Sequence, residues 1–425
     1  MTQNQTVTLV VFAATYLALI VRTDRKLPIV AVAAAVLLLW PGLMHIPAAL
    51  HAINWNVVML YFGMLLLSET FILSQAPAVL TEWCVREGHS ARTAFLLICG
   101  LCGLISMVIE NVAAVLIVAP LALSMAKRLR VSPVPLLIGI AVSSNLQGAA
   151  TLIGDPPSML LAGSLGLNFN DFFWYKDRLG IFFAVEFGAA ISLLVLWLIF
   201  RKHDGRVPRS RGEKLDSYIP PCLLVLLIVA LASASILLPD WEWGTGTISL
   251  AIGCLAALWW IGRHGAGEFR KQAMHLDWAT GFFLVGIFMV VGSLVENGLV
   301  EKFVQVLEWL SGGSPLQIYF IIVAGSVLGS AIIDNVPFVA AMLPVCIGLA
   351  TRLAIPPELL SIGMMIGASI GGNITPIGAS ANIVAVGIAK REGYEITFTE
   401  FIHIGLPFTI AATVAASTFV WFVWR

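Results

Sequence analysis

Residues 108–129 (VIENVAAVLIVAPLALSMAKRL) recur without a gap, 224 positions later, as residues 332–353 (IIDNVPFVAAMLPVCIGLATRL). The copies share Ile109/Ile333, Asn111/Asn335, Val112/Val336, Pro120/Pro344 and Arg128/Arg352. Each sets a carboxylate beside an asparagine, Glu110-Asn111 and Asp334-Asn335, inside apolar sequence. A duplicated apolar unit with matching polar interruptions restricts the chain to folds whose halves meet about one site near the bilayer midplane, as in secondary transporters. A carboxylate at that depth is costly and points to function.

Only 11% of the 425 residues are charged and 59% are hydrophobic, against about 25% charged in soluble domains. The expected class is therefore an all-α polytopic membrane protein. A formal net charge of zero gives no electrostatic case for nucleic acid; lipid is the expected surrounding. The first apolar segment, 6–21, is followed rather than preceded by basic residues, Arg22, Arg25 and Lys26. It is expected to stay as a helix with its N-terminus outside. The six cysteines are scattered and imply no disulfide framework. Cys99 and Cys102 form a CxxC without a second pair, which suits packing better than a metal.

At about 20 apolar residues per crossing, spans are expected at 6–21, 28–44, 55–75, 134–166, 181–200, 219–238, 246–262, 279–297, 358–389 and 403–424. Stretches 93–126 and 316–350 carry the repeated motif at their middle and are read as re-entrant hairpins. Basic residues trace the sides: Arg86 and Arg92, then Lys127, Arg128 and Arg130, and above all loop 201–216 with six Lys and Arg, fall in the cytoplasm. Asp240 and Glu242 then fall outside, as do both termini. The predicted organisation is 1–200, a linker 201–216, and 217–425. With five spans and one hairpin per half, an odd number, the second half is expected upside down, an inverted repeat. Trp55 and Gly63 match Trp278 and Gly286, and Phe169-Asn-Asp-Phe172 matches Phe398-Thr-Glu-Phe401.

Beyond each hairpin, TLIGDPP (151–157) and TPIGASAN (375–382) interrupt a span at the same offset. Glycine and proline break the helix there, and lipid cannot satisfy the freed backbone groups. Four interruptions would converge on one site, with helix N-termini presenting N–H groups and partial positive charge, and C-terminal carbonyls able to bind a cation.

The strings DNVPF, TLIGDPP, GGNITPIGASAN and EGYEITFTEF resemble the ion transporter superfamily of arsenite permeases (ArsB type), the P protein of melanosomes, NhaD-type sodium/proton antiporters and sodium/dicarboxylate symporters. The resemblance covers nearly the whole chain, and TLIGDPP points to the arsenite permease and P protein branch. It implies a fixed scaffold and a mobile unit of hairpins and broken helices working as an elevator in the cell inner membrane. It also allows a soluble ATPase partner and a homodimer. In the dicarboxylate branch the tips read Ser-Asn-Thr; here they read Glu110-Asn111-Val112 and Asp334-Asn335-Val336. Two unneutralised carboxylates would repel a dianion by several kcal/mol, and they can bind a proton or sodium. The expected function is cation-coupled transport of a small inorganic solute, led by arsenite or antimonite efflux in exchange for protons. The alternatives are sodium/proton antiport and sodium-coupled transport of a dicarboxylate-like anion.

The expected site comprises Glu110, Asn111, Val112, Thr151, Gly154, Asp155, Asp334, Asn335, Val336, Asn373, Thr375, Gly378 and Asn382, with sodium expected at Asn111, Asn335 and Asn382. The bland reading makes the tip residues helix caps, but a cap needs one polar residue and each tip supplies two. Asp155 reads equally as cap or ion ligand. Asn145 is expected to make a packing hydrogen bond, and Glu69 and Glu186, unpaired by the repeat, to serve the scaffold. GASIG (367–371) matches an esterase pattern, yet no strand-to-helix elbow or partner histidine accompanies Ser369. Neither HExxH nor a Walker sequence is present, so no enzyme and no cofactor is expected. A channel would need a continuous pore, against which the duplicated broken helices argue.

Overall fold

The computed structural model describes residues 1–22, 25–84, 88–202, 205–206 and 215–425. Arg86 and most of loop 201–216, on which the sidedness reading leans, lie outside the described residues.

Ten helices form the first half: α1 Gln3–Val21, α2 Lys26–Leu39, α3 Ile46–Ala52, α4 Trp55–Leu73, α5 Ala76–Cys84, α6 Ala91–Ser106, α7 Asn111–Leu129, α8 Val134–Gly148, α9 Pro156–Leu165 and α10 Ile181–Phe200. Ten more follow in the same order of long and short: α11 Ile219–Leu237, α12 Gly244–His264, α13 Ala266–Ala273, α14 Trp278–Glu296, α15 Val300–Ser311, α16 Pro315–Ser330, α17 Asn335–Leu353, α18 Pro357–Gly371, α19 Ser380–Arg391 and α20 Phe398–Trp424. The duplication thus extends beyond the matched sequence to the whole order of elements. A short antiparallel ribbon, Trp174–Tyr175 with Arg178–Leu179, precedes α10 and has no counterpart among the described residues before α20.

Nine of the described helices are long and apolar enough to cross a membrane. The boundaries differ from expectation where turn chemistry intervenes. The span read as 28–44 ends at Leu39, and α3 follows Pro41-Gly42, where Gly42 has a φ of 78°. The spans read as 134–166 and 358–389 are each two helices, α8 with α9 and α18 with α19, parted at 149–155 and 372–379. In the motif stretches the polar tip ends a 16-residue helix and starts a 19-residue one that can cross alone. The hairpins are therefore unequal, with one full-length arm each. Before the second lies α15, bent 115° from α16.

Small residues set the close contacts, as lipid-embedded helices require. Gly63 on α4 lies against the Ser249 backbone of α12, and its match Gly286 on α14 lies against Val30 of α2, so the repeat reproduces the contact as well as the residue. Between α10 and α20, Gly188 meets Ala412 and Ala416. Arg178, just ahead of α10, donates to the Val423 carbonyl at 2.9 Å, and Phe187 stacks on Phe419. These pairings count forward on α10 and backward on α20, so the two corresponding helices run in opposite directions.

Candidate functional site

Each tip is held by the same clamp. At the first, Ser106 Oγ donates to Asn111 Oδ1 at 2.6 Å and Thr151 Oγ1 donates to the Met107 carbonyl. At the second, Ser330 Oγ donates to Asn335 Oδ1 at 2.6 Å and Thr375 Oγ1 to the Ala331 carbonyl at 2.8 Å. Every member is offset by 224 from its partner. Glycine completes both clamps: a Cβ at Gly148 would overlap Asn111 Oδ1, and one at Gly372 would crowd Asn335 Oδ1. Gly154 and Gly378 lie against the carbonyls of Gly148 and Gly372, closing each unwound loop on itself. Thr151, Gly154, Thr375 and Gly378 thus shape the loops.

Glu110 and Asp334 occupy the cap positions of α7 and α17, yet neither side chain caps its helix. The bland reading fails for these two. Asp155 does cap α9, accepting from the Ser158 amide at 2.9 Å and its hydroxyl at 2.6 Å. Its second oxygen is buried without a hydrogen bond, so the cap uses only half of the carboxylate.

The two tips and the two restarted helices meet at one cavity of about 40 Å³, room for about two or three water-sized bodies. Glu110, Asn111, Val112, Asp155, Asp334, Asn335 and Val336 line it, with Asn145, Ser380 and Lys26. Four helix N-termini (α7, α9, α17 and α19) reach this cavity, and for α7, α17 and α19 no side chain caps the first-turn amides. Each N-terminus carries about half a positive charge, about +2 in all. Lys26 adds one charge that Asp277, 3.8 Å from it, offsets, so about +2 faces the three charges of Glu110, Asp155 and Asp334 when all are ionised. Counting the tip carboxylates alone, as the sequence invites, therefore overstates repulsion of an anion: the cavity is about one charge negative when all three are ionised and attracts anions when they are protonated.

Asn373 and Asn382 are fully buried behind this wall. Asn145 Nδ2 donates to Asn373 Oδ1 at 2.8 Å and to Asn382 Oδ1 at 2.9 Å, while Asn382 Nδ2 donates to the carbonyls of Gly372 and Thr375, both at 2.9 Å. The expected packing bond of Asn145 exists, but it ties α8 of the first half to the unwound segment and the restarted helix of the second, and its residue lines the cavity. Asn382, committed to protein partners, lies behind the ligand wall rather than in it. Lys26 and Asp277, 3.8 Å apart, and the clamp serines escaped the sequence reading. A signal for the serines was present, since Ser106 and Ser330 precede their asparagines by five residues in both copies. Ser369 lies within α18, without the strand-to-helix elbow a nucleophile of that pattern needs.

Known proteins share this chain's sequence family and fold. A transporter of Mycobacterium tuberculosis strain H37Rv, itself uncharacterized, is 30% identical over 384 residues, covering 87% of this chain and 86% of the relative. The P protein of Sus scrofa is 24% identical over 447 residues, covering 85% of this chain and 52% of that protein. Two solved transporters share the fold: YdaH of Alcanivorax borkumensis, with a TM-score of 0.61 at 17% identity over 96% of this chain and 97% of that one, and MtrF of Neisseria gonorrhoeae, with 0.55 at 14% over 86% and 80%. The profile of the citrate transporter family, CitMHS, matches residues 16–258 and 241–425. This chain is a membrane transporter of that family.

Proposed function

We propose that the chain is a secondary active transporter of the cell inner membrane that couples a small oxygen-rich solute to protons at the cavity between the two tips. One observation carries this reading: two carboxylates stand at cap positions without capping, beside helix ends whose amides no side chain occupies. Helix N-termini accept oxygen atoms of a solute, and Glu110, Asp334 and the open side of Asp155 accept its O–H groups or exchange protons. Arsenite or antimonite leaving in exchange for protons fits best, because a small hydroxylated solute suits a cavity this size and protonation of the carboxylates removes its hydrogen-bond acceptors. The opposed α10 and α20 support an inverted repeat with both termini outside, and the two clamped tips support an elevator in which hairpins and broken helices move together.

A second reading is favoured by the family profile and the charge balance. A carboxylate anion such as citrate would enter with the protons that neutralise the three acids, and sodium would replace protons if it binds at Asn111 and Asn335. Flux into everted vesicles separates these readings. Arsenite, citrate and sodium are compared under imposed pH and sodium gradients. Arsenite accumulation driven by a pH gradient alone is the expected result; citrate flux with arsenite inert would install the second reading, and flux that needs sodium at constant pH would discard proton coupling.

A further inference from the structure

Two cavities flank the site and correspond under the repeat. One, of about 130 Å³, is walled by α4, α7, residues 153–156 and the residues just ahead of α14, and it touches Glu110 and Asp155. The other, of about 540 Å³, is walled by the residues ahead of α4 and by α9, α14 and α17; it reaches Ala340 but neither Asp334 nor Asn335. Their chemistry differs at matched places. His275 and Asp277 border the smaller cavity where their matches Ala52 and Asn54 border the larger, and Glu69 of α4 corresponds to Gly292 of α14. The cavity that touches the site therefore carries carboxylates at two places where its counterpart has Gly292 and Asn54, the counterpart's own Glu296 standing where the first half has Leu73.

We propose that Glu69, His275 and Asp277 form a proton relay from the face bearing Lys26 to Glu110. His275 is exposed and Glu69 and Asp277 are half-buried, so the three grade from water to the interior. A cavity of that volume holds water between them. A proton taken from water by the His275 imidazole passes through the carboxylates and cavity water to the Glu110 carboxylate, and His275 returns to neutral; one proton moves and no bond besides O–H and N–H changes. The titratable or charged groups facing this route are Tyr61 and Glu69 on α4, Glu110 and Asp155 at the site, His275 and Asp277 ahead of α14, Lys26 on α2, and Asp334 across the neighbouring cavity. Asp277 also caps α14 through the Thr280 amide at 3.0 Å, a role asparagine keeps.

The relay rests on proton coupling. It is tested with the full chain reconstituted in vesicles, measuring arsenite or citrate flux while pH is varied on one face at a time. Glu69→Gln with His275→Gln is expected to cut proton-driven flux at least about tenfold and to flatten the dependence on pH at the Lys26 face. Exchange of labelled for unlabelled solute without a gradient should continue at the wild-type rate, which a misfolded variant could not show. Wild-type pH dependence in the double variant, or an equal change on both faces, overturns the relay alone. Wild-type flux indifferent to pH on either face would remove proton coupling, and the relay with it.

Discussion

The two unwound segments share a backbone and differ in chemistry. Thr151 and Thr375 tether the same carbonyl of their tips, and Gly148 and Gly372 leave room for the same asparagine oxygen. At the helix restarts, however, the first segment has Asp155 and Ser158 where the second has Ala379 and Asn382. The first closes its helix with a half-used carboxylate; the second leaves its helix end uncapped and turns an amide inward to hold the loop. What stayed alike is the clamp and the tip carboxylate, and what diverged is the cap at the helix restart. Binding and coupling at the tips are therefore expected to be shared by the halves, and the restart cap to differ.

The hardest test of that division is the pair of clamp asparagines. Asn111→Ala and Asn335→Ala remove an amide that is half-buried at Asn111 and buried at Asn335, about 1–3 kcal/mol, so solute flux should fall about 5- to 150-fold in both with expression retained. Loss in one and wild-type flux in the other would break the claim that binding is shared. Next come the carboxylates: Glu110→Gln and Asp334→Asn keep shape and remove the titratable group. Both should lose uphill, pH-dependent transport and keep gradient-free exchange. Asp155→Asn preserves a good cap and is expected to change flux less than about threefold. If it abolishes transport while both tip variants remain pH-dependent, the coupling role belongs to Asp155 and the halves differ even more than drawn here.

Labelling tests whether the halves are opposed as whole units. Cysteines placed near 127 and near 352 should react from opposite faces, and reaction from the same face would end the inverted arrangement. The smallest effect lies outside the site, in the ribbon found, among the described residues, only in the first half. There Lys176 bonds Glu358 at 2.6 Å, and that hydrogen bond raises the lysine above its usual range. The stabilisation is present below the ordinary lysine value, about pH 10, and is lost as pH rises through the raised one. Because Lys176 is largely exposed, Glu358→Gln should cost only about 0.5 kcal/mol, constant between about pH 6 and 9 in thermal unfolding. A gap that closes on acidification would assign the bond a different chemistry.

Much of this was legible in the sequence because the repeat is written at the functional places: the tip pairs, TLIGDPP and TPIGASAN mark both the breaks and the cavity. The clamp serines fell just ahead of the stretch used for alignment. Lys26 and Asp277 were invisible for another reason: they are brought to the site by the packing of α2 on α14, elements more than 200 residues apart that carry no shared motif. The helix boundaries at Leu39 and around α15 depended on turns whose geometry apolar length does not report. The charge balance also needed coordinates, because only the convergence of four N-termini reveals the positive half of the ledger.

Asn145 has a mechanical consequence. Its amide spends both hydrogens on the opposite half, and the matching position, Ser369, offers no such reach. With Asn373 Nδ2 donating back to the Val142 carbonyl at 3.0 Å, α8 of the first half holds the unwound segment of the second at more than one point, from one side only. A displacement of the second segment is therefore expected to draw on α8, so the second half of the site is expected to move together with the first.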